Sequence, residues 1–493
     1  MKKNDYLLLT AIATYTFLFY QQNAGINFLL FNIIFIAILI IKNKNLVFQK
    51  KWCWSAALCL ISSSCVFIHS SGLSILANIL SLLLLSALSV NIVTSSLFSF
   101  LFSCYSVASS IVFIIIDSVA RLQPKTEIQQ TTKNGMKFLA TSMVIVLSIL
   151  FFIMYQSANP LFAENTKWIN FDFISVQWIF FTLGGVLIMY GLFYSRSIKQ
   201  IETWENKLLV SSLPNTNELN SKQYETERFA GLLLFIMLNI MLLVLNIGDI
   251  QTLYFNGGLP KGISHSDFVH NGVSVIILSI SIASSLIMFL FRKQFSTIKN
   301  NKALTIGVYA WIAQNILMLS STAIRNQIYI QDFNFTYKRI GVYVWLFLSV
   351  IGLFITFYSI YKNRSNWFLI RTNFAVWLTC LTLSSCVNWD KLITNYNIYN
   401  KPLAQVDFHY LFSLSDTNIP ELIAITKRKD FGTINSKLKN YTGSFDREYY
   451  YPITYSELLR EKIRNYLKDR NSDWKSYDLR EQNVINSIYN FKK

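Results

Sequence analysis

From Gly231 to Gly248 the chain reads GLLLFIMLNIMLLVLNIG, and residues 273–291, VSVIILSISIASSLIMFLF, are as apolar. Runs of this kind approach the roughly 18–20 apolar residues that a helix needs to cross the hydrocarbon of a bilayer. A closed β-barrel, the only other fold that satisfies its backbone in lipid, would alternate apolar and polar residues over segments of about ten. No such alternation appears along the chain. A soluble chain carries about a quarter charged residues, whereas this one has 14%, with 53% hydrophobic. The expectation is an all-α fold: a polytopic transmembrane helical bundle of about 11–13 spans with a small helical carboxy-terminal extramembrane domain.

Apolar segments lie at 6–20, 26–41, 54–69, 73–92, 97–117, 136–156, 174–194, 229–249, 271–291, 303–323, 340–360 and 367–387. Lysine and arginine between spans mark the cytoplasmic side. Arg121, Lys125 and Lys133, then Arg196 to Arg228, then Arg292 to Lys302, then Lys362 and Arg364 fall in alternate loops. Lys2, Lys3, Lys42, Lys44, Lys50 and Lys51 ask for the same side, so both phases hold only if residues 54–117 cross an even number of times. Either even count puts the carboxy terminus outside. The net charge of +18 then belongs to loop anchors beside anionic headgroups, and no nucleic acid is needed as a partner.

The first twenty residues carry the basic and apolar regions of a secretory signal, but QQNAG offers no cleavage site, so they are read as a retained helix. The six cysteines fall in apolar runs with no CxxC spacing, which makes them small apolar packers. After Val387 the composition becomes polar and rich in Tyr and Asn. Residues 1–387 are therefore expected to form the membrane domain and 388–493 an extracytoplasmic helical domain, loosely attached. Asn418 with Glu421, and Thr454 with Glu457, have the spacing of capping boxes. The aromatic stretch FDREYYYPITY, 445–455, is either the core of that domain or a docking face.

Two places concentrate polar chemistry. GGLPKGISHSDFVHNG, 257–272, holds two of the chain's four histidines. His265 and His270 would point about 140 degrees apart on a helix, so only Asp267 and His270 share a face, and two ligands do not make a zinc site. Asp267 and His270 are taken as a candidate helix entrance, with capping favoured over metal binding and over proton sensing by His270. The second place is 313–346. Gln314, Asn315, Ser320, Ser321 and Arg325 would be costly against lipid, so their helix should turn them inward. Gln314, Asn315, Arg325, Tyr329 and Arg339 form a candidate polar network, with Asp332 or Asp117 as counter-charge to Arg325. Snorkelling to headgroups and contact with a substrate or lipid phosphate are the competing readings.

FLFYQQNAGINFLLF (17–31), ANPLF (158–162), DFVHNGV (267–273), the stretch 314–339, VNWDKLITNYNI (387–398) and DFHYLFSLSDTNIPEL (407–422) together resemble a bacterial polytopic membrane family, "domain of unknown function 4173" (DUF4153/DUF4173-like). The resemblance implies a helix entrance of the aromatic-Val-His-Gln-Gly kind, met by Phe268, Val269, His270 and Gly272 with Asn271 departing from Gln. It also implies a Leu-Thr-x-x-Arg element, where Phe335, Thr336 and Arg339 stand. It transfers no catalytic residue, cofactor or metal. Three roles compete: a non-catalytic envelope scaffold or sensor whose residues 388–493 meet an envelope protein, an enzyme acting on lipid-linked sugar, and a transporter. Many sugar transferases of that kind need an acid in the first external loop, and QQNAG has none. A transporter is disfavoured by the lack of an internal repeat. The scaffold or sensor is the favoured expectation.

Overall fold

A computed structural model describes residues 3–90, 94–122, 175–210, 221–253, 302–362, 364–432 and 454–492, with scattered positions in 141–166, 278–288 and at 434. Among these residues every regular element is helical. The chain divides into two compact units: Met1–Ile198 with Asn471–Leu479, and Lys199–Arg470 with Arg480–Lys493.

The first unit contains α1 (Lys3–Phe19), α2 (Ile26–Lys42), α3 (Lys50–His69), α4 (Gly72–Leu88), α5 (Ser96–Ala108), α6 (Ser110–Leu122), α7 (Pro160–Asn165) and α8 (Val176–Phe193). Of these, α3 and α8 are long and apolar enough to cross a membrane, while α2 and α4 are apolar at 17 residues. Small residues let the helices approach closely. Ser62 and Ser63 of α3 and Ser81 of α4 are fully buried, each hydroxyl returning to a carbonyl of its own helix. Asn32 and Asn78 join α2, α3 and α4: Asn32 Nδ2 donates to Asn78 Oδ1 at 3.1 Å, and Asn78 Nδ2 donates to Ser62 Oγ at 3.1 Å and to the Cys59 carbonyl. Cys59 is thus a packer with a polar contact, its thiol donating to Asn32 Oδ1 at 2.7 Å. Cys53 and Cys386 are exposed, contrary to the expectation for all six.

One end of this unit gathers the lysines. Lys3 Nζ donates to the Ile41 carbonyl, Lys42 Nζ to that of Phe193, and Lys51 Nζ to that of Thr94. The apolar segment 97–117, expected as one span, is not one straight helix. It breaks into α5 and α6, bent by 74°. The chain leaves the lysine end at Thr94, and α5 returns there, because the Arg196 N–H donates to Ser106 Oγ at 2.7 Å and a Cβ on Gly191 would fall 2.5 Å from Val107 Cα. Residues 54–117 thus hold α3, long and apolar enough to cross a membrane, α4, apolar at 17 residues, and the bent pair α5–α6. Asp117 on α6 accepts from Arg196 and from the Tyr190 hydroxyl.

At the opposite end the 471–479 stretch is held against the α1–α2 loop. Ile26 N–H donates to the Tyr477 carbonyl at 2.8 Å, Asn23 N–H to Ser476 Oγ at 2.9 Å, and Gln22 Nε2 to Asp473 Oδ2 at 3.0 Å. QQNAG has no acid of its own, but Asp473 comes to it from the distant end of the chain. Backbone donation from Lys475 holds the Asp473 carboxyl below the usual carboxylate range.

The second unit holds α9 (Lys199–Val210), α10 (Ser221–Leu253), α11 (Lys302–Phe333), α12 (Tyr337–Tyr361) and α13 (Asn366–Ser384), followed by α14 (Trp389–Asn400), α15 (Phe408–Ser413), α16 (Ile419–Ile425), α17 (Tyr455–Asp469) and α18 (Leu479–Lys492). The crossing candidates here are α10, α11 and α12. α10 and α11 run in the same direction, since residues 239, 246 and 249 meet 307, 314 and 325 in that order. α11 turns into α12 at Asn334, whose φ of 79° is the left-handed conformation that Asn tolerates best after Gly.

The carboxy-terminal helices are packed rather than loosely attached. Ile340, in the first turn of α12, shares one buried cluster with Ile393, Leu411, Leu422, Tyr455 and Val484. Asn397 exchanges two hydrogen bonds with the Phe335 backbone, at 2.6 and 2.9 Å. Of the aromatic stretch, 445–453 lies outside the described residues, while Tyr455 is wholly buried, edge-on to Phe408, Phe412 and Phe431, with its hydroxyl on the Leu422 carbonyl. Thr454 and Glu457 do form the capping box. Asn418 precedes α16 without a side-chain cap, its amide donating instead to Thr394 Oγ1 and the Leu411 carbonyl.

Candidate functional site

The polar seam between α10 and α11 is built in order from fixed backbone carbonyls. Asn239 Nδ2 donates to the carbonyls of Phe235 and Gly307 at 2.7 and 2.9 Å, so its amide can face only one way and its Oδ1 is left to accept. Gln314 Nε2 donates to that oxygen at 2.7 Å. Asn246 Nδ2 donates to the Gln314 carbonyl at 3.1 Å, which fixes the third amide. Positions 239, 246 and 249 lie on one face of α10, and 307, 314 and 325 on one face of α11. Above the amides Arg325 makes an ion pair with Asp249, their side chains 11% and 7% exposed. A charge within a span is affordable only with such a partner. Three acceptors of the seam, Asn246 Oδ1, Gln314 Oε1 and Asp249 Oδ2, are buried and receive no hydrogen bond.

The five residues expected as one network fall in three places. Gln314 and Arg325 are on the seam. Asn315 is 1% exposed but turns back onto its own helix, Nδ2 to the Trp311 carbonyl at 2.7 Å. Tyr329 and Arg339 meet at the α11–α12 turn, the guanidinium 4.2 Å from the ring centroid and donating to the carbonyls of Phe333, the last residue of α11, and of Asn334 in the turn. The counter-charge of Arg325 is Asp249, not Asp332, which is exposed, nor Asp117, which pairs with Arg196. The signal for Asp249 was its spacing of three from Asn246 on the same face. Asp267 and His270 lie outside the described residues.

A second feature had no sequence signal beyond Thr336 and Arg339. An open cleft of about 670 Å³ is lined by Thr336, Tyr337, Arg339, Asp390, Tyr410 and Ser415, among others. Asp390 accepts from the Tyr337 hydroxyl at 2.8 Å and from Ser415 Oγ, while Tyr410 Oη accepts from the Tyr337 N–H at 2.8 Å. Burial pushes the Tyr410 phenol up. Nearby, Lys462 Nζ donates to the carbonyls of Phe412 and Leu414, and burial draws its ammonium below the usual lysine range while raising the Asp416 carboxyl. The cleft can hold a small polar ligand or a partner's side chain. Among the described residues no cluster of three or more His, Cys, Asp or Glu could hold a metal ion.

No curated protein and no solved structure matches the chain. One family does, over residues 55–425, which takes in α3 to α16 and so both the seam and the cleft. This helical membrane chain belongs to the family described as Domain of unknown function (DUF4153).

Proposed function

We propose that the chain is a multi-pass protein of the bacterial cytoplasmic membrane. In this reading residues 388–493 lie on the extracytoplasmic side and act as a non-catalytic scaffold or sensor that receives an envelope protein. The observation that carries it is where the carboxy-terminal region docks within each unit. In the first, 471–479 binds the end of α1 and α2 opposite Lys3, Lys42 and Lys51. In the second, Asn397 and Gln405 bond the α11–α12 turn, the end of those helices opposite Lys302 and Lys362. Basic residues anchor the cytoplasmic end. Both dockings therefore favour the outer face, independently of how many times the rest of the chain crosses. The bonded amides, the buried Tyr455 core and the capped helices support a rigid platform rather than a mobile tether.

Alkaline phosphatase fused after Lys493 should be active, and a fluorescent protein fused there should be dark. A fluorescent fusion with silent phosphatase would reverse the orientation. Affinity purification in mild detergent should recover a stoichiometric envelope protein. Recovery of a polyprenyl lipid in its place would favour the enzyme reading, for which the Asp390 cleft is the natural site.

A further inference from the structure

We propose that Asp249, Asn246 and Gln314 form an intramembrane site for a bare monovalent cation of the sodium class, taken up in exchange for the Arg325 guanidinium. This goes beyond the scaffold or sensor reading and is independent of it, since the seam lies within α10 and α11 whichever way the chain faces.

The argument begins with the amides. None can flip: Asn239 is committed by two backbone carbonyls, Gln314 by the oxygen that Asn239 leaves, and Asn246 by the Gln314 carbonyl. Three oxygens of the seam residues are buried and receive no hydrogen bond: Asn246 Oδ1, Gln314 Oε1 and Asp249 Oδ2. Asn246 and Asp249 are each 5% exposed, on adjacent turns of one helix face, and Asn246 touches Gln314 across the seam. Buried acceptors without donors are costly. A guest that relieves all three brings positive charge or donors and asks for no acceptor. Two amide oxygens and a single carboxylate carry too little charge for calcium or magnesium, which take six or more oxygens or retain several waters.

Charge decides how the guest enters. With Arg325 on Asp249 the described residues of the seam sum to no net charge, and an added cation would leave an uncompensated charge among apolar helices. The cation must therefore replace the guanidinium on the carboxylate, one positive charge for another. Arg325 stands eight residues before the end of α11 at Phe333, about 12 Å along the axis, and its long side chain can swing towards that end as arginines near interfaces do. The seam then has two states of equal charge: one closed by Arg325, the other holding the cation with Arg325 turned outward.

The test uses the full chain in mild detergent, comparing thermal midpoints in sodium, potassium and choline chloride at equal ionic strength. Arg325→Gln removes the resident guanidinium, so sodium or potassium should raise the midpoint of this variant over choline by about 5 °C, saturably. The double variant Asp249→Asn with Arg325→Gln should lose that difference. Equal midpoints for Arg325→Gln in all three salts would overturn the proposal and leave the three oxygens to water alone. Should that variant be unfolded in every salt, the wild type decides: a higher midpoint in sodium or potassium than in choline supports the site, and identical midpoints overturn it.

Discussion

Replacing Asp249 by Leu should lower the thermal midpoint of the detergent-solubilised protein by about 10 °C, the largest loss expected from any single seam substitution. The variant removes the carboxylate but leaves Arg325, with a side chain only 11% exposed, between two packed helices. Breaking a buried pair by deleting one partner costs about 3–5 kcal/mol, because the remaining charge is desolvated without compensation. Arg325→Leu should cost a similar amount for the same reason. The double variant, Asp249→Leu with Arg325→Met, should recover most of the loss, since two apolar side chains of similar volume replace a pair whose attraction is largely offset by desolvation. Arg325→Lys should fall between, keeping the charge and losing the planar fork. Choline chloride is the right salt for this series, so that no small cation stands in for the missing guanidinium. Additive losses in the double variant would show that the two residues are not coupled and that Arg325 finds its stabilisation at the headgroups.

The class of fold was legible because lipid leaves the backbone no choice: apolar runs long enough to cross must be helices. The polar face of α11 was legible for the same reason, through the cost of Gln314 and Arg325 against lipid. Its partner was not. Asp249 follows an apolar run that ends at Gly248, so it reads as the first residue of a loop, and only the extension of α10 to Leu253 places it one turn beyond Asn246. Hydropathy also could not tell a span from a bent pair in 97–117. The apolar content of that segment is sufficient, and the bend falls between Ala108 and Ser110, where the close approach of Val107 to Gly191 and the bonds of Ser106 and Asp117 to Arg196 are contacts distant in sequence. The docking of 471–479 is the extreme case. Its partners lie about 450 residues away in sequence, and no local periodicity encodes such a pairing.

That docking is testable at one residue. Gly25→Val should release the 471–479 stretch from the α1–α2 loop and leave the helices of the first unit in place. A Cβ at Gly25 would lie 2.5 Å from the carbonyl oxygens of both Ser476 and Tyr477. These are backbone atoms, so no rotamer change relieves the clash and the whole stretch must withdraw. The φ of Gly25, −171°, is ordinary extended backbone, so the effect comes from space and not from strain. Withdrawal gives up the bonds from Ile26 to Tyr477, from Asn23 to Ser476, from Gln22 to Asp473 and from Asn471 to the Gln21 carbonyl. At about 1 kcal/mol for each bond, the local opening free energy should drop by roughly 3–4 kcal/mol. Amide hydrogen exchange reads it directly: the 471–479 amides should exchange at least about a hundredfold faster, and those of α3 and α4 should not change. Gly72→Val is the matched control, because a Cβ there meets nothing within 4 Å. Unchanged protection of 471–479 in the Gly25 variant would mean that the carboxy-terminal region holds its place through the Tyr455 core alone, and the docking argument for its side of the membrane would then rest only on the α11–α12 turn.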